Sequence, residues 1–263
     1  MLSRKLSSLS RLNMEILDCR CVRLDSRWRA ENICSPFSRI YLVTEGTGFL
    51  RCRDRVIAMS PGHIYVVPAG LRFSYWCEES FCKVYFHISV PLPSGYDLLE
   101  RIGDCVSFPA PETVVFMANH LHSEQIADML QIKAELYGIL RGCLEGDSQR
   151  FQGAYSETAA AAMAYIQKNL SAALNIDSVA KELGVSGETL RKTFRQEVGV
   201  PMGKYIRDRV LNRAELEVRR GEYTAKEISE RLGFSDQFYF SRCFSDKFGL
   251  SPMKYRKKIK PEQ

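Results

Sequence analysis

Residues 230–256, ERLGFSDQFYFSRCFSDKFGLSPMKYR, set Phe240, Phe244 and Phe248 four residues apart between Gly233 and Gly249. That spacing is one face of a helix. The positions between the rings carry Gln237, Ser241, Arg242 and Ser245, so the same helix has a polar outer face. The stretch therefore fits either a buried helix pair or a surface that reads something.

An earlier part of the chain repeats it. Leu183-Gly184-Val185-Ser186 recurs as Leu232-Gly233-Phe234-Ser235, 49 residues on, and Phe194 and Gly199 recur as Phe244 and Gly249, 50 residues on. One residue has been inserted between these anchors. Each copy reads as a short helix, a glycine turn and a longer helix, which is helix-turn-helix grammar. Ala180 and Ser229 are small where the helices of each pair must cross closely, and Gly184 and Gly233 suit a turn that needs positive φ. Ser186 and Ser235 are the expected caps of the longer helices. With Leu190, Phe194, Phe240 and Phe244 inside, Glu188, Arg191, Lys192 and Arg195 face outward in the first copy. Gln237, Ser241, Arg242 and Ser245 do so in the second. Arg, Lys, Gln and Ser are side chains that hydrogen-bond phosphates and base edges in a major groove.

The segment between the copies, residues 201–220, reads as one helix starting after Pro201. Tyr205, Ile206, Val210 and Ala214 form its apolar stripe, with Lys204, Arg207, Arg209 and Arg213 around it. Such a helix spans about 30 Å, close to the ~34 Å between successive major-groove faces. Arg209 and Arg213 are expected in structural ion pairs rather than at bases.

Charge supports the division. Residues 1–155 hold 17 Lys+Arg and 17 Asp+Glu, whereas residues 156–263 hold 20 and 14, so the net +6 belongs to the C-terminal part. A basic excess confined to one segment points to a polyanion partner for it. The chain has 263 residues, 45% of them hydrophobic, and no run approaching the ~18 apolar residues of a membrane span. The basic N-terminus lacks a continuous apolar stretch and a cleavage site. A cytoplasmic protein with a flexible or helical arm over 1–30 is expected. The nine cysteines include no C-x-x-C pair, so neither zinc spacing nor any other cofactor signature is present. They read mainly as reduced packing residues, with Cys77 and Cys82, or Cys19 and Cys21, as the pairs a redox sensor would use.

From 38 to 90 the grammar changes to short runs rich in Val, Ile, Tyr and Phe, bounded by Gly46, Gly48, Pro61-Gly62 and Pro68-Ala69-Gly70. These predict an antiparallel sandwich or small barrel. Residues 91–112, with four prolines, are expected to be irregular. Ile126, Met129, Leu130, Leu136, Tyr137, Leu140 and Leu144 follow a helical period and fit packing on the sheet or on a second subunit. Residues 147–156 read as a linker. The fold class is thus α+β with two domains: a β-rich domain over 31–146, and an all-α domain over 157–263 with two helix-turn-helix motifs joined by a long helix.

Residues 157–258 resemble the DNA-binding domain of the AraC/XylS family of bacterial transcription regulators, and the quoted stretch is similar to that family's signature almost end to end. The resemblance implies base-facing positions at Glu188, Arg191 and Lys192, and at Gln237, Phe238, Ser241 and Arg242. Glu could accept from cytosine and Phe could touch a thymine methyl. It also implies a cytoplasmic homodimer acting on paired sites in double-stranded DNA, with RNA polymerase as a further partner and no catalysis.

More weakly, residues 38–90 resemble the cupin-like effector domain of sugar-responsive members. Metal-binding cupins need an H-x-H motif where this chain reads Leu71-Arg72-Phe73-Ser74-Tyr75, so a ligand cup is expected rather than a cupin enzyme. His120-x-His122 reads as surface histidines. Strand alternation places Tyr41, Val43 and Glu45 on one face, and Phe81, Lys83, Tyr85 and His87 on one face. With Tyr75 these would stack a small carbohydrate or related metabolite and fix its hydroxyls. Each also fits as a core residue with a satisfied polar tip.

Overall fold

The structure is a computed structural model that describes residues 12–92, 96–145 and 155–259. Most of the expected linker, and the first eleven residues of the expected arm, lie outside these. The described residues divide into two compact units, one up to residue 145 and the other from residue 155 onward.

In the first unit the strands are β1 (Glu15–Leu24), β2 (Arg29–Ile33), β3 (Ser38–Cys52), β4 (Arg55–Met59), β5 (His63–Val67), β6 (Phe73–Ser89) and β7 (Val106–Pro109). They form one antiparallel seven-stranded sheet in the order β1-β6-β3-β5-β7, with β2 added to β6 and β4 to β3. The sheet is not closed into a barrel. The arm expected over 1–30 is corrected from Glu15 onward: Cys19, Cys21 and Val22 pair with Phe86, Val84 and Lys83 of β6. Basic residues such as Arg20 and Arg23 point out of a strand here, which hid its alternation. Nor is 91–112 wholly irregular, because it contains β7 and the start of a helix.

Each sheet face has its own core. Ile40, Leu42, Ile64, Val66, Val84, Phe86 and Ile88 face α1 (Pro111–His120) and α2 (Ile126–Leu144) through Val114, Met117, Ile132, Leu136, Ile139 and Leu140. Tyr41, Val43, Tyr65, Val67, Phe73, Cys77 and Phe81 form the other core. The helical stripe read from the sequence therefore splits. Leu136 and Leu140 pack on the sheet, while Ile126, Met129, Leu130 and Tyr137 are exposed.

Strict alternation along β3 is broken by register shifts against β6 between Val43 and Glu45 and between Gly46 and Gly48. Beyond them the even-numbered Leu50 and Cys52 join the core of the odd-numbered Tyr41 and Val43. A bulge inserts one residue and exchanges the faces.

The second unit is helical: α3 (Glu157–Lys168), α4 (Ile176–Leu183), α5 (Gly187–Val198), α6 (Met202–Arg220), α7 (Ala225–Arg231), α8 (Gln237–Phe248) and α9 (Pro252–Ile259). Leu190, Phe194, Tyr205, Ile206, Val210, Ala214, Ile228, Phe240, Phe244 and Phe248 are all buried. Polar anchors tie the later helices to α6. Glu215 is fully buried, and its Oε1 accepts from the Arg219 guanidinium at 2.9 Å and from the Tyr255 hydroxyl at 2.8 Å. Lys247 Nζ donates to Asp208 Oδ1 at 2.9 Å. Arg213 pairs with Glu217 at 3.0 Å, as the expectation of a structural ion pair required. Among the described residues Arg209, which is half-buried, forms no such pair.

Candidate functional sites

Two helix-turn-helix pairs, α4–α5 and α7–α8, stand at either end of α6. Gly184 closes α4 at φ 64°, and Gly233 turns between α7 and α8 at φ 71°. The α5 cap is Ser186, whose hydroxyl accepts from Thr189 N at 3.1 Å. The expected cap of α8, Ser235, is corrected to Asp236, whose Oδ1 accepts from Tyr239 N at 2.7 Å. That bond holds the Asp236 carboxyl below the usual carboxylate range. The extra residue of the second copy thus precedes Asp236, and the two capped helices match residue for residue at a constant offset of 50.

On that offset Glu188 matches Phe238, Arg191 matches Ser241, and Lys192 matches Arg242. Glu188, Arg191, Lys192 and Arg195 share one exposed face of α5. On α8, Gln237, Phe238 and Arg242 are exposed and Ser241 is half-buried. Phe238 is 83% exposed, an unusual cost for a large ring outside any core. The Arg242 guanidinium lies 5.7 Å over the Tyr239 ring, which aligns it along the helix surface. The 19 residues of α6 give a spacer of about 28 Å between the two pairs.

The second constellation lies on the β-sheet face of Tyr41. Tyr75, Phe81 and Lys83 come together there as expected, and Trp28, from the turn between β1 and β2, completes the group. The Trp28 and Tyr75 rings stack at 4.4 Å, and Trp28 lies 5.3 Å from Phe81. Lys83 is 2% exposed, with Nζ 3.4 Å from the Tyr41 ring centre and 3.9 Å from that of Trp28. Burial holds its ammonium well below the usual lysine range, and the Arg39 charge pushes the same way.

Farther along the strands, Arg39 donates to Ser35 Oγ at 2.8 Å and lies 3.2 Å from His87 Nε2. The Tyr85 hydroxyl donates to Asp18 Oδ2 at 3.0 Å, and burial with that carboxylate raises its pKa. Burial also raises the Tyr41 hydroxyl and takes that of Tyr75 to about 12. Trp28 and Asp18 were missed because they lay in the presumed arm, and Arg39 because it adjoins a run of apolar residues.

Glu45 does not join this group. The register shift after Val43 turns it to the opposite face, where it is exposed and its Oε2 accepts from Arg23 at 2.6 Å. That guanidinium lowers its pKa. Of the cysteine pairs considered, Cys77 Sγ instead donates to Asp25 O, Cys82 Sγ to Glu45 Oε2, and Cys19 and Cys21 are exposed free thiols. The disulfide joins Cys52 and Cys105. His120 packs on Phe116 and His122 is exposed. No group of three or more metal-binding side chains occurs among the described residues.

A sheet domain with a polar-aromatic face and a helical domain with paired helix-turn-helix motifs define a ligand-linked transcriptional regulator. Family models bear this out: an AraC-like ligand binding domain matches residues 25–160, and a helix-turn-helix domain matches residues 179–258. The chain belongs to the AraC family. It is 25% identical to the Msm operon regulatory protein of Streptococcus mutans, over 84% of each chain. It is 23% identical to the transcriptional activator RhaR of Cronobacter sakazakii, again over 84% of each. The regulatory protein SoxS of Escherichia coli is 37% identical over 97 residues, which are 37% of this chain and 91% of that one. Crystalline ToxT of Vibrio cholerae shares the fold with a TM-score of 0.61 at 14% identity, covering 93% of this chain and 98% of ToxT.

Proposed function

We propose that this regulator reads DNA with α5 and α8 and answers to a small molecule held on the Tyr41 face of the sheet, a carbohydrate or related metabolite. The observation that carries the DNA reading is the pair of exposed polar faces at a constant 50-residue offset, joined by a spacer of major-groove length. Glu188, Arg191, Lys192 and Arg195 serve the first groove, and Gln237, Phe238, Ser241 and Arg242 the next. Arg242 is the leading base contact, since a guanidinium can address guanine O6 and N7 together.

In this reading the protein is a cytoplasmic homodimer without catalytic activity, and RNA polymerase is a further partner. No helix among the described residues is long and apolar enough to cross a membrane. Ile126, Met129, Leu130 and Tyr137, exposed along α2, supply the face on which two copies meet. Ligand binding favours one of two arrangements of the pair, in proportion to its differential affinity for them. Selection of bound duplexes from a random pool tests the reading: the full-length protein should enrich two motifs about one helical turn apart. Arg242→Ala should lose the preference in one of them, and unchanged enrichment would refute its assignment.

One observation favours a second reading, a thiol-responsive regulator. The Cys52–Cys105 disulfide ties β3 to the segment preceding β7. If that bond is the signal, operator affinity changes between diamide and dithiothreitol, and Cys52→Ser abolishes the difference. If it is not, both states bind equally.

A further inference from the structure

A fully buried lysine needs a counter-charge, because desolvation of an ammonium is expensive unless it is paired. Lys83 has none among the described residues. Among the described residues its neighbours are the faces of Tyr41 and Trp28, with Phe81 5.7 Å away. The charged and titratable groups that act on it are Arg39 of β3, a second cation, and the Cys77 thiol of β6. Asp18, on the same side of the sheet, is engaged by the Tyr85 hydroxyl and by Arg20. Glu45, which alternation would have placed here, has been turned outward to Arg23. Two cations therefore share an aromatic-walled face from which the nearby strand carboxylates are diverted.

We propose that Lys83, with Arg39, anchors a carboxylate group of the effector, whose body stacks on Tyr41, Tyr75 and Trp28. This rests on the reading of the sheet domain as the ligand-binding part and narrows the ligand from carbohydrates in general to organic acids. A neutral sugar would leave the Lys83 charge uncompensated. A phosphate dianion calls for two cations that both turn to it, and the half-buried Arg39 guanidinium is already engaged with Ser35 and His87. A monovalent carboxylate fits both the charge and the planar aromatic walls. Trp28 covers Lys83 and belongs to a turn rather than a strand, so it is the group that moves when a ligand enters.

The test uses full-length protein with glucuronate and galacturonate, the matching neutral sugars, and octanoate as a carboxylate on an acyl chain. Thermal unfolding is followed for the wild type and for Lys83→Met, which keeps the side-chain length and removes the charge. At saturation the acids should raise the wild-type Tm by about 3 °C or more, and Lys83→Met should weaken them about tenfold or more. Without ligand, Lys83→Met should melt higher than the wild type, because a buried uncompensated charge has been removed. A lower ligand-free Tm overturns the proposal and makes Lys83 a structural cation–π element.

The chain has two tryptophans, so Trp76→Phe leaves Trp28 as the sole indole. In that background the acids should change its emission, and this holds whether or not Lys83→Met folds. Silence toward every acid overturns the proposal. Neutral sugars acting equally on the wild type and Lys83→Met also overturn it, but leave the ligand-binding reading standing. Acids that bind without altering operator affinity support the anchor and defeat the effector reading instead. Sugar acids acting without octanoate assign the carboxylate to a polyol, and the reverse assigns it to an acyl chain.

Discussion

Ser186 and Asp236 do the same work 50 residues apart: each side-chain oxygen accepts the amide hydrogen of the residue three positions on, Thr189 or Tyr239. Both seal the first turn of a helix whose outer face is exposed. Each cap satisfies one of the amides that a helix start leaves open. Ser186→Ala and Asp236→Ala should each cost about 1 kcal/mol of stability, measured by urea unfolding of the full chain. Ser235→Ala, one residue away, should cost less than half as much. An equal loss at Ser235 would mean that the second copy starts its helix one residue earlier.

The two turn glycines are not equivalent, and their difference gives a second prediction. Both adopt positive φ, which costs a residue with a side chain about 1–2 kcal/mol. A Cβ at Gly184 meets nothing within 4 Å, whereas one at Gly233 would lie 2.1 Å from Ser171 Oγ. The chain around Ser171 packs there, with Ala172 N donating to Leu232 O at 2.8 Å. Gly233→Ala should therefore destabilise more than Gly184→Ala, and Ser171→Gly should recover part of the excess. Equal losses at the two glycines, unaffected by Ser171→Gly, would show that backbone strain alone matters.

The helical unit was legible because its signals are local and repeated: spacing of four, glycine turns, a basic excess. Even there, choosing between Ser235 and Asp236 required knowing where the insertion fell, and two adjacent capping residues offered no local way to decide. The sheet unit was less legible for a different reason. A single shift after Val43 reverses every side chain beyond it, so alternation put Glu45 beside Tyr41 when it lies on the opposite face with Arg23. β1 was missed because Asp18, Arg20 and Arg23 interrupt its apolar residues, and the exposed Cys19 and Cys21 between them are not the branched residues that advertise a strand. Trp28 was lost along with it, and the cover of the candidate ligand site went unseen.

If α5 and α8 read DNA as proposed, charge and position separate two kinds of contact. Arg242→Ala should weaken specific operator binding by about 1–3 kcal/mol and relax the preference at one base pair. Arg195→Ala, one turn farther along α5, should weaken all duplexes alike and lower the salt dependence of binding by about one ion. Glu188→Ala should leave non-specific affinity unchanged or raise it, because it removes an acid from a face meant for phosphates. Mobility-shift titrations at several salt concentrations distinguish the three.

Lys83 predicts a pH dependence of stability with an unusual sign. Its folded-state pKa is depressed well below the ordinary 10.5 by burial, with Arg39 acting in the same direction and Cys77 against it. Between the depressed value and 10.5 the unfolded chain holds a proton that the ligand-free folded chain does not, so unfolding becomes less favourable as pH rises. The penalty of the buried ammonium is complete below the folded-state pKa and vanishes above 10.5. Lys83→Met has no such group. The stability advantage of Lys83→Met over the wild type should therefore be largest at neutral pH and shrink steadily into the alkaline range, with Tyr41 and Tyr75 present in both proteins. A bound carboxylate reverses the balance by favouring the ammonium, so its affinity should fall as pH rises through the same window. Unfolding curves of the two proteins that stay parallel from pH 7 to 10 would mean that Lys83 keeps its ordinary pKa and is not the buried cation described here.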